Sequence, residues 1–407
     1  MTVSGRDPGE PVPKPVVCLI SRSKNTYSET FIRGYVDALP ATVRVLYGDY
    51  LPTHQDDDTP LLLPTLPRLV RAASRRLLGL PWESPVNLAI KRFWRSIEAE
   101  AVLAEYGPTG VHVLDLCTDA GLPLIVRFHG YDAYRRDVLD RYSEGYLRLF
   151  ADASAVVAVS GAMERHLLGL GAPRERLHCI PVGVDPSIFA GGNPALAPPV
   201  FVAVGRFVDK KAPHLTLLAF KKALERLPDA RLAMIGDGQL WECCKQITRS
   251  LGLSNYVDFL GVRQHAEVAT IMKGARAFVQ HSIRTSYGDA EGTPTAVMEA
   301  AATGLPVIST RHMGIQEVVI DGVTGFLVDE GDIDGMAEAI VLVGKNPVLA
   351  AEMGAQGRQR VTREFSRSQC VERLWRVIQE AIQATGGIPD TRRSRPRPRG
   401  FDAGASC

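Results

Sequence analysis

Short apolar runs rich in β-branched residues recur along the chain, and helical stretches separate them. In the first half they are "VVCLI" (16–20), "VRVLY" (43–47), "PLIVRF" (123–128) and "AVVAV" (155–159). In the second half they are "VFVAV" (200–204), "RLAMI" (231–235), "YVDFL" (256–260), "RAFVQ" (276–280) and "PVIS" (306–309). Most are apolar throughout. A strand wetted on one face alternates apolar and polar residues, so continuous runs point to parallel strands buried on both faces. Leu217, Phe220 and Leu224 mark a helix over 212–226, and 265–274 and 332–343 read as helices too. The fold class is therefore α/β, built on doubly wound parallel sheets.

The alternation pauses at "PVGVDPSIFAGGNPALAPP" (181–199), whose Pro, Gly and Asn content reads as a linker. A length of 407 residues suits two domains. The expected division is 1–183, then 184–366, then a C-terminal helix over 367–385 that returns to the first domain. The Pro- and Arg-rich stretch 386–407 has almost no apolar content and reads as a disordered tail.

Composition narrows the functional classes. A net charge of +2 gives nucleic-acid binding no support. Seven cysteines at spacings that fit no zinc pattern read as inert thiols in a reducing compartment. No apolar run reaches the roughly 18 residues of a membrane span. The polar N-terminus lacks a signal-peptide core, which makes a cytoplasmic location the expectation. A basic amphipathic segment within 66–95 carries Arg68, Arg71, Arg75 and Arg76 beside an apolar stripe. It suits either the surface of an anionic bilayer or a core helix with a solvated face.

Candidate chemistry gathers where strands end. In "EGTPTAVMEAAATGLPVIST" (291–310), Glu291 precedes a helix start near Pro294 or Thr295, and Glu299 lies one turn inside it. A helix start offers unpaired N–H groups and partial positive charge to a phosphate. Gly292 permits close backbone approach. Carboxylates accept hydrogen bonds from hydroxyls rather than holding phosphate. The two acids thus fit polyols on either side of a diphosphate, the layout of a nucleotide sugar. In "VAVGRFVDKKAPH" (202–214), Gly205 turns the chain, and Arg206, Lys210 and Lys211 follow with charge for a departing diphosphate. "MIGDGQL" (234–240) supplies Gly236 and Gly238 at another junction, and Val262–Arg263 forms an edge that could flank a base. His129 follows a buried strand in "VRFHGYDAY" (126–134). Each feature also has a purely structural reading: a capping acid, a basic surface loop, a structural histidine.

Taken together, "GRFVDKK", "GDG", the Glu-x(7)-Glu stretch, "GLPVIST" and "DGVTGFLV" (321–328) resemble the family-four retaining glycosyltransferases. "YSETFI" (27–32), "EYGPTG" (105–110) and "FHGYDA" bring the likeness closer to the colanic-acid and exopolysaccharide type. The resemblance implies the GT-B fold: two Rossmann-like domains facing a central cleft. It implies Arg206 and Lys211 at the diphosphate, Glu299 at the ribose, and Glu291 with Gly292 to Thr295 at the donor sugar and phosphate. His129 would approach from the N-terminal domain. Retention of configuration, with no metal and no cofactor, is implied as well. The donor would be a UDP-sugar ahead of a GDP-sugar, and the acceptor a glycan or lipid-linked oligosaccharide. One departure stands out: many relatives carry Gly-Gly after the first strand, where this chain has "SRSKNTYSET". Two other readings keep the same contacts, a sugar-nucleotide epimerase and a non-catalytic nucleotide-sugar binder.

Overall fold

The computed structural model describes residues 14–24, 30–62 and 84–386. The N-terminal 1–13, the segment 66–83 of the basic stretch, residues 27–29 of "YSETFI" and the tail beyond 386 lie outside them. Two parallel sheets dominate. The first holds β1 (Val16–Ser21), β2 (Thr42–Tyr47), β3 (His54–Gln55), β4 (Ala101–Glu105), β5 (Leu124–Phe128), β6 (Ala155–Ala158) and β7 (Leu177–Cys179). Their order is β3-β2-β1-β4-β5-β6-β7, and only β3 runs antiparallel, against β2. The second sheet holds β8 (Val200–Val204), β9 (Arg231–Ile235), β10 (Val257–Gly261), β11 (Ala277–Gln280), β12 (Val307–Thr310) and β13 (Gly325–Val328). Its order is β10-β9-β8-β11-β12-β13, parallel throughout.

The continuous apolar runs have the burial they require. In β8, Phe201 packs on one face with the helix Pro213–Leu224, while Val202 packs on the other with the helix Thr295–Thr303. Successive side chains of a strand point to opposite faces, so a strand covered on both sides admits a polar residue only where it finds a partner. The predicted helices appear as Pro213–Leu224, His265–Lys273 and Ile333–Lys345.

Four strands were missing from the sequence expectation: β3, β4, β7 and β13. The most consequential is β4. "AVLAE" has four apolar residues and ends on a charge. Glu105 is nonetheless fully buried, because Arg127 donates to it from β5 and His129 Nε2 meets it at 2.8 Å. A buried carboxylate survives only when paired and hydrogen-bonded.

The chain passes between the two sheets twice. The first passage is 180–199 and the second is at 365–367. They are laced together: Val184 N donates to Phe365 O at 2.9 Å, and Arg367 N donates to Val184 O at 2.7 Å. The final helix, Arg367–Gly386, then buries Cys370, Leu374 and Ile378 in the core of the first sheet. Of the basic stretch, Pro85–Ser96 is a helix that buries Ile90 and Trp94 in that same core. Among the described residues no helix is long and apolar enough to cross a membrane.

Candidate active site

Each sheet reverses its strand order once, between β1 and β4 in the first and between β8 and β11 in the second. At such a point, neighbouring connections leave on opposite faces and open a crevice beyond the carboxyl ends. The two crevices face one another and enclose a cavity of about 1040 Å³. Arg22 after β1, Tyr106 after β4 and His129 after β5 line it from one side. Gly205 and Arg206 after β8, Gly236 after β9, Arg263 after β10 and the loop after β11 line it from the other.

The structure brings together most of the residues singled out above. His129, Gly205, Arg206, Lys211, Gly236, Arg263, Glu291, Gly292, Thr293, Thr295 and Glu299 all line the cavity. Gly238 and Pro294 do not. Gly238 instead packs on its neighbour: a Cβ there would lie 2.6 Å from Phe207 O. Pro294 is the N-cap of Thr295–Thr303, so it starts the helix without facing the cavity. Gly236 needs its lack of side chain, since its φ is +132° and a Cβ would lie 2.0 Å from Gly205 O.

Glu291 is the most constrained group. It is 5 % exposed, and its Oε2 meets Lys211 Nζ at 3.1 Å. Burial pushes its carboxyl up, but the charges of Lys211 and Lys210 outweigh that and hold it at about 2. Burial in turn lowers Lys211, against the pull of Glu291. Glu291 is therefore an anion at neutral pH. Its Oε1 is buried without a hydrogen-bond partner among the described residues. A carboxylate oxygen accepts hydrogen bonds from hydroxyl and N–H groups.

Glu299 behaves differently. Its Oε1 meets His265 Nε2 at 2.8 Å, and the His265 ring packs edge-on against Phe189 at 4.8 Å. His129 is held at both ring nitrogens. Nε2 meets Glu105, and the other nitrogen accepts the backbone N–H of Asp132. That assignment makes Nε2 the protonated nitrogen and leaves no lone pair for a general base. Thr293 spends its hydroxyl on Val159 O, across the cleft.

Lys210, expected with Arg206 and Lys211 at the diphosphate, is instead buried against Asp289 Oδ1 at 2.9 Å and Ala290 O at 3.2 Å, which fixes the loop carrying Glu291. Other contributors were not anticipated. His312 accepts the Glu291 N–H at 3.1 Å and hands its other nitrogen to Glu330. Glu330 also accepts from Arg284 N at 2.7 Å, so it ties two loops together. "RHMG" and "VDEG" gave no local signal for this, because the partners lie 18 and 46 residues apart. Asp58 of "DDD" is taken up by Lys24 at 2.8 Å. Among the described residues no cluster of His, Cys, Asp and Glu is placed to hold a metal.

Comparison with known proteins places the chain by family and fold. Residues 26–188 match the family model described as Glycosyltransferase Family 4, and residues 185–360 match Glycosyl transferases group 1. The chain is 27 % identical over 329 residues to a Salmonella typhimurium protein named as a colanic acid biosynthesis glycosyltransferase, WcaL, covering 77 % of this chain and 80 % of that one. It is 28 % identical over 254 residues to the amylovoran biosynthesis glycosyltransferase AmsK of Erwinia amylovora, covering 62 % of each. Among solved structures, Anabaena Alr3699/HepE in complex with UDP and glucose superposes with a TM-score of 0.69 at 16 % identity, over 90 % of this chain and all of that one.

Proposed function

Because the chain belongs to the family-four glycosyltransferases and has their GT-B fold, we propose that it moves a hexose from a nucleotide-diphosphate sugar to a hydroxyl of a glycan or lipid-linked acceptor, with retention. The pathway in view is exopolysaccharide synthesis, the process in the names of WcaL and AmsK relatives. The observation that carries the reading is the buried Lys211–Glu291 pair beside the helix start at Thr295, with Glu291 Oε1 unfilled. It supplies cationic charge, helix N–H groups and a hydroxyl acceptor within one cavity.

In this reading Arg206, Lys211 and the first turn of Thr295–Thr303 stabilise the diphosphate as negative charge grows on it. The acceptor O–H attacks the anomeric carbon on the face the diphosphate leaves. The carbon–oxygen bond to the diphosphate breaks, its electron pair goes to the phosphate oxygen, and the acceptor proton ends there. This front-face route needs no side-chain nucleophile, and His129 is held at both nitrogens. His129 then orients and excludes water rather than moving a proton.

A thermal-shift screen of nucleotide sugars tests the first half, with UDP-sugars before GDP-sugars. Transfer from the best binder, with the product anomer read by NMR, tests the second. Stabilisation by one donor with an α-donor giving an α-product is expected. Inversion of the anomer, or no shift with any nucleotide sugar, would overturn the reading. Release of an epimerised donor without acceptor would replace it with an epimerase.

A further inference from the structure

From the first-sheet side of the cavity across to the loop after β11, the wall is aromatic and cationic. Tyr50, Arg22, Tyr131, Arg135 and Tyr287 alternate in a row. The Arg22 guanidinium carbon lies 4.4 Å from the centre of the Tyr50 ring and 5.4 Å from that of Tyr131. The Arg135 guanidinium lies 5.0 Å from Tyr131 and 5.4 Å from Tyr287. The Tyr50 and Tyr131 hydroxyls meet at 3.3 Å, and Tyr142 supports Tyr50 edge-on at 6.0 Å. All but Tyr50 line the cavity. The row joins the turn after β1, the short helix Gly130–Tyr134 and the loop after β11.

The two cations are not equivalent. Arg135 is neutralised by Asp137, to which it donates twice, at 2.9 and 2.6 Å. Arg22 is not. Among the described residues it pairs only with Asp49, at 3.8 Å and with a side chain 75 % exposed. The Arg22 Nε is buried and has no hydrogen-bond partner among the described residues. A guanidinium stacked on aromatic faces is poorly hydrated and keeps a planar fork of donors. Such a fork matches a carboxylate or a phosphate. Beside it, tyrosine rings give a pyranose apolar surface to pack on, with hydroxyls at the rim.

We propose that this row is the acceptor subsite and that the acceptor is an anionic saccharide, whose carboxylate or phosphate sits on Arg22. The inference rests on the glycosyl-transfer reading above and adds the acceptor's charge class to it. The donor's own phosphates have a separate cradle across the cleft, at Arg206 and the Thr295 helix start.

The test is ligand-observed NMR binding on the full chain, with UDP or GDP present at saturation and again without nucleotide. Methyl glucoside is the neutral probe, methyl glucuronide the carboxylate probe and glucose 1-phosphate the phosphate probe. We expect at least one anionic probe to bind about tenfold tighter than the neutral one, the scale of one charge-assisted hydrogen bond. The stronger anionic probe identifies which group the acceptor carries. Arg22→Gln should erase the preference, Arg22→Lys should keep part of it, and nucleotide binding should not change in either. Equal binding of all three probes, binding of none, a preference that survives in Arg22→Gln, or a loss of nucleotide binding in that variant would each overturn the proposal. Failure of any nucleotide to bind sinks the transfer reading instead, and the nucleotide-free arm still reports on Arg22.

Discussion

The two walls of the cleft are built on different principles. On the second-sheet side the buried charges are matched inside the protein, Lys211 with Glu291, Lys210 with Asp289, His265 with Glu299 and His312 with Glu330, while Arg206 and Arg263 stand exposed. On the first-sheet side the surface is stacked rings and guanidinium groups, with Arg22 only loosely countered. Paired buried charges fix positions and need no reorganisation when a ligand's charge changes, which suits the chemical step. Stacked tyrosines and a loose cation suit recognition of one partner among several.

The sharpest way to break this contrast is at the buried pair. Lys211→Ala or Glu291→Ala should each cut kcat/KM for transfer by ~10²-fold or more, as loss of a group that acts on developing charge does. Lys211→Ala also leaves a buried carboxylate alone, and should lower stability by about 3–5 kcal/mol. The double variant Lys211→Met/Glu291→Gln should recover much of that stability in denaturant titrations while transfer stays low. Recovery of transfer alongside stability would show the pair to be only structural.

The next effect is smaller and indirect. His312→Ala or Glu330→Gln removes support for the Glu291 backbone and should cost roughly 10-fold in kcat, with the acceptor KM unchanged. A rise in acceptor KM of the same size would place these residues on the wrong wall. Tyr131→Ala should do the opposite: an acceptor KM raised by about 3–10-fold, with the donor KM unchanged, consistent with one lost stacking contact.

A separate effect is expected in acid. Burial pushes Glu291 and Glu105 up, yet their cationic neighbours hold both at about 2, below the ordinary 4.5. A depressed carboxyl stabilises the fold above its unfolded value, and that stability fades as pH falls from about 4.5 towards 2. Each group should contribute on the order of 2 kcal/mol. Melting temperatures between pH 5 and 3 should therefore drop, and Glu291→Gln should flatten part of that slope. An unaltered slope in the variant would mean the carboxylate is not ionised in the folded chain.

The second wall was far more legible in the sequence than the first. Gly205, Gly236 and the Glu-x(7)-Glu stretch sit where apolar runs stop, and a strand end followed by glycine marks a crevice. Each stretch carries its own local signal, even though its partners in space, such as Lys211 for Glu291, lie far off in sequence. The row on the other wall draws on residues 22, 50, 131, 135 and 287, and no local pattern links them. The same reason hid β4, since Glu105 looks like a surface residue until Arg127 and His129 are brought to it. His129 was legible as a cleft residue, but its two filled nitrogens were not, because one partner belongs to that unseen strand.

The side-by-side passages between the sheets have a mechanical consequence. Tyr35 gives its hydroxyl to Pro181 O at 3.0 Å and Val182 O at 2.7 Å, at the edge of the first passage. The Arg127 guanidinium covers the ring of the same tyrosine at 4.0 Å and reaches Glu105, which in turn anchors His129. Because the two passages share backbone hydrogen bonds, displacing one displaces the other. The same tyrosine ties that crossing, through Arg127 and Glu105, to His129 in the cavity wall.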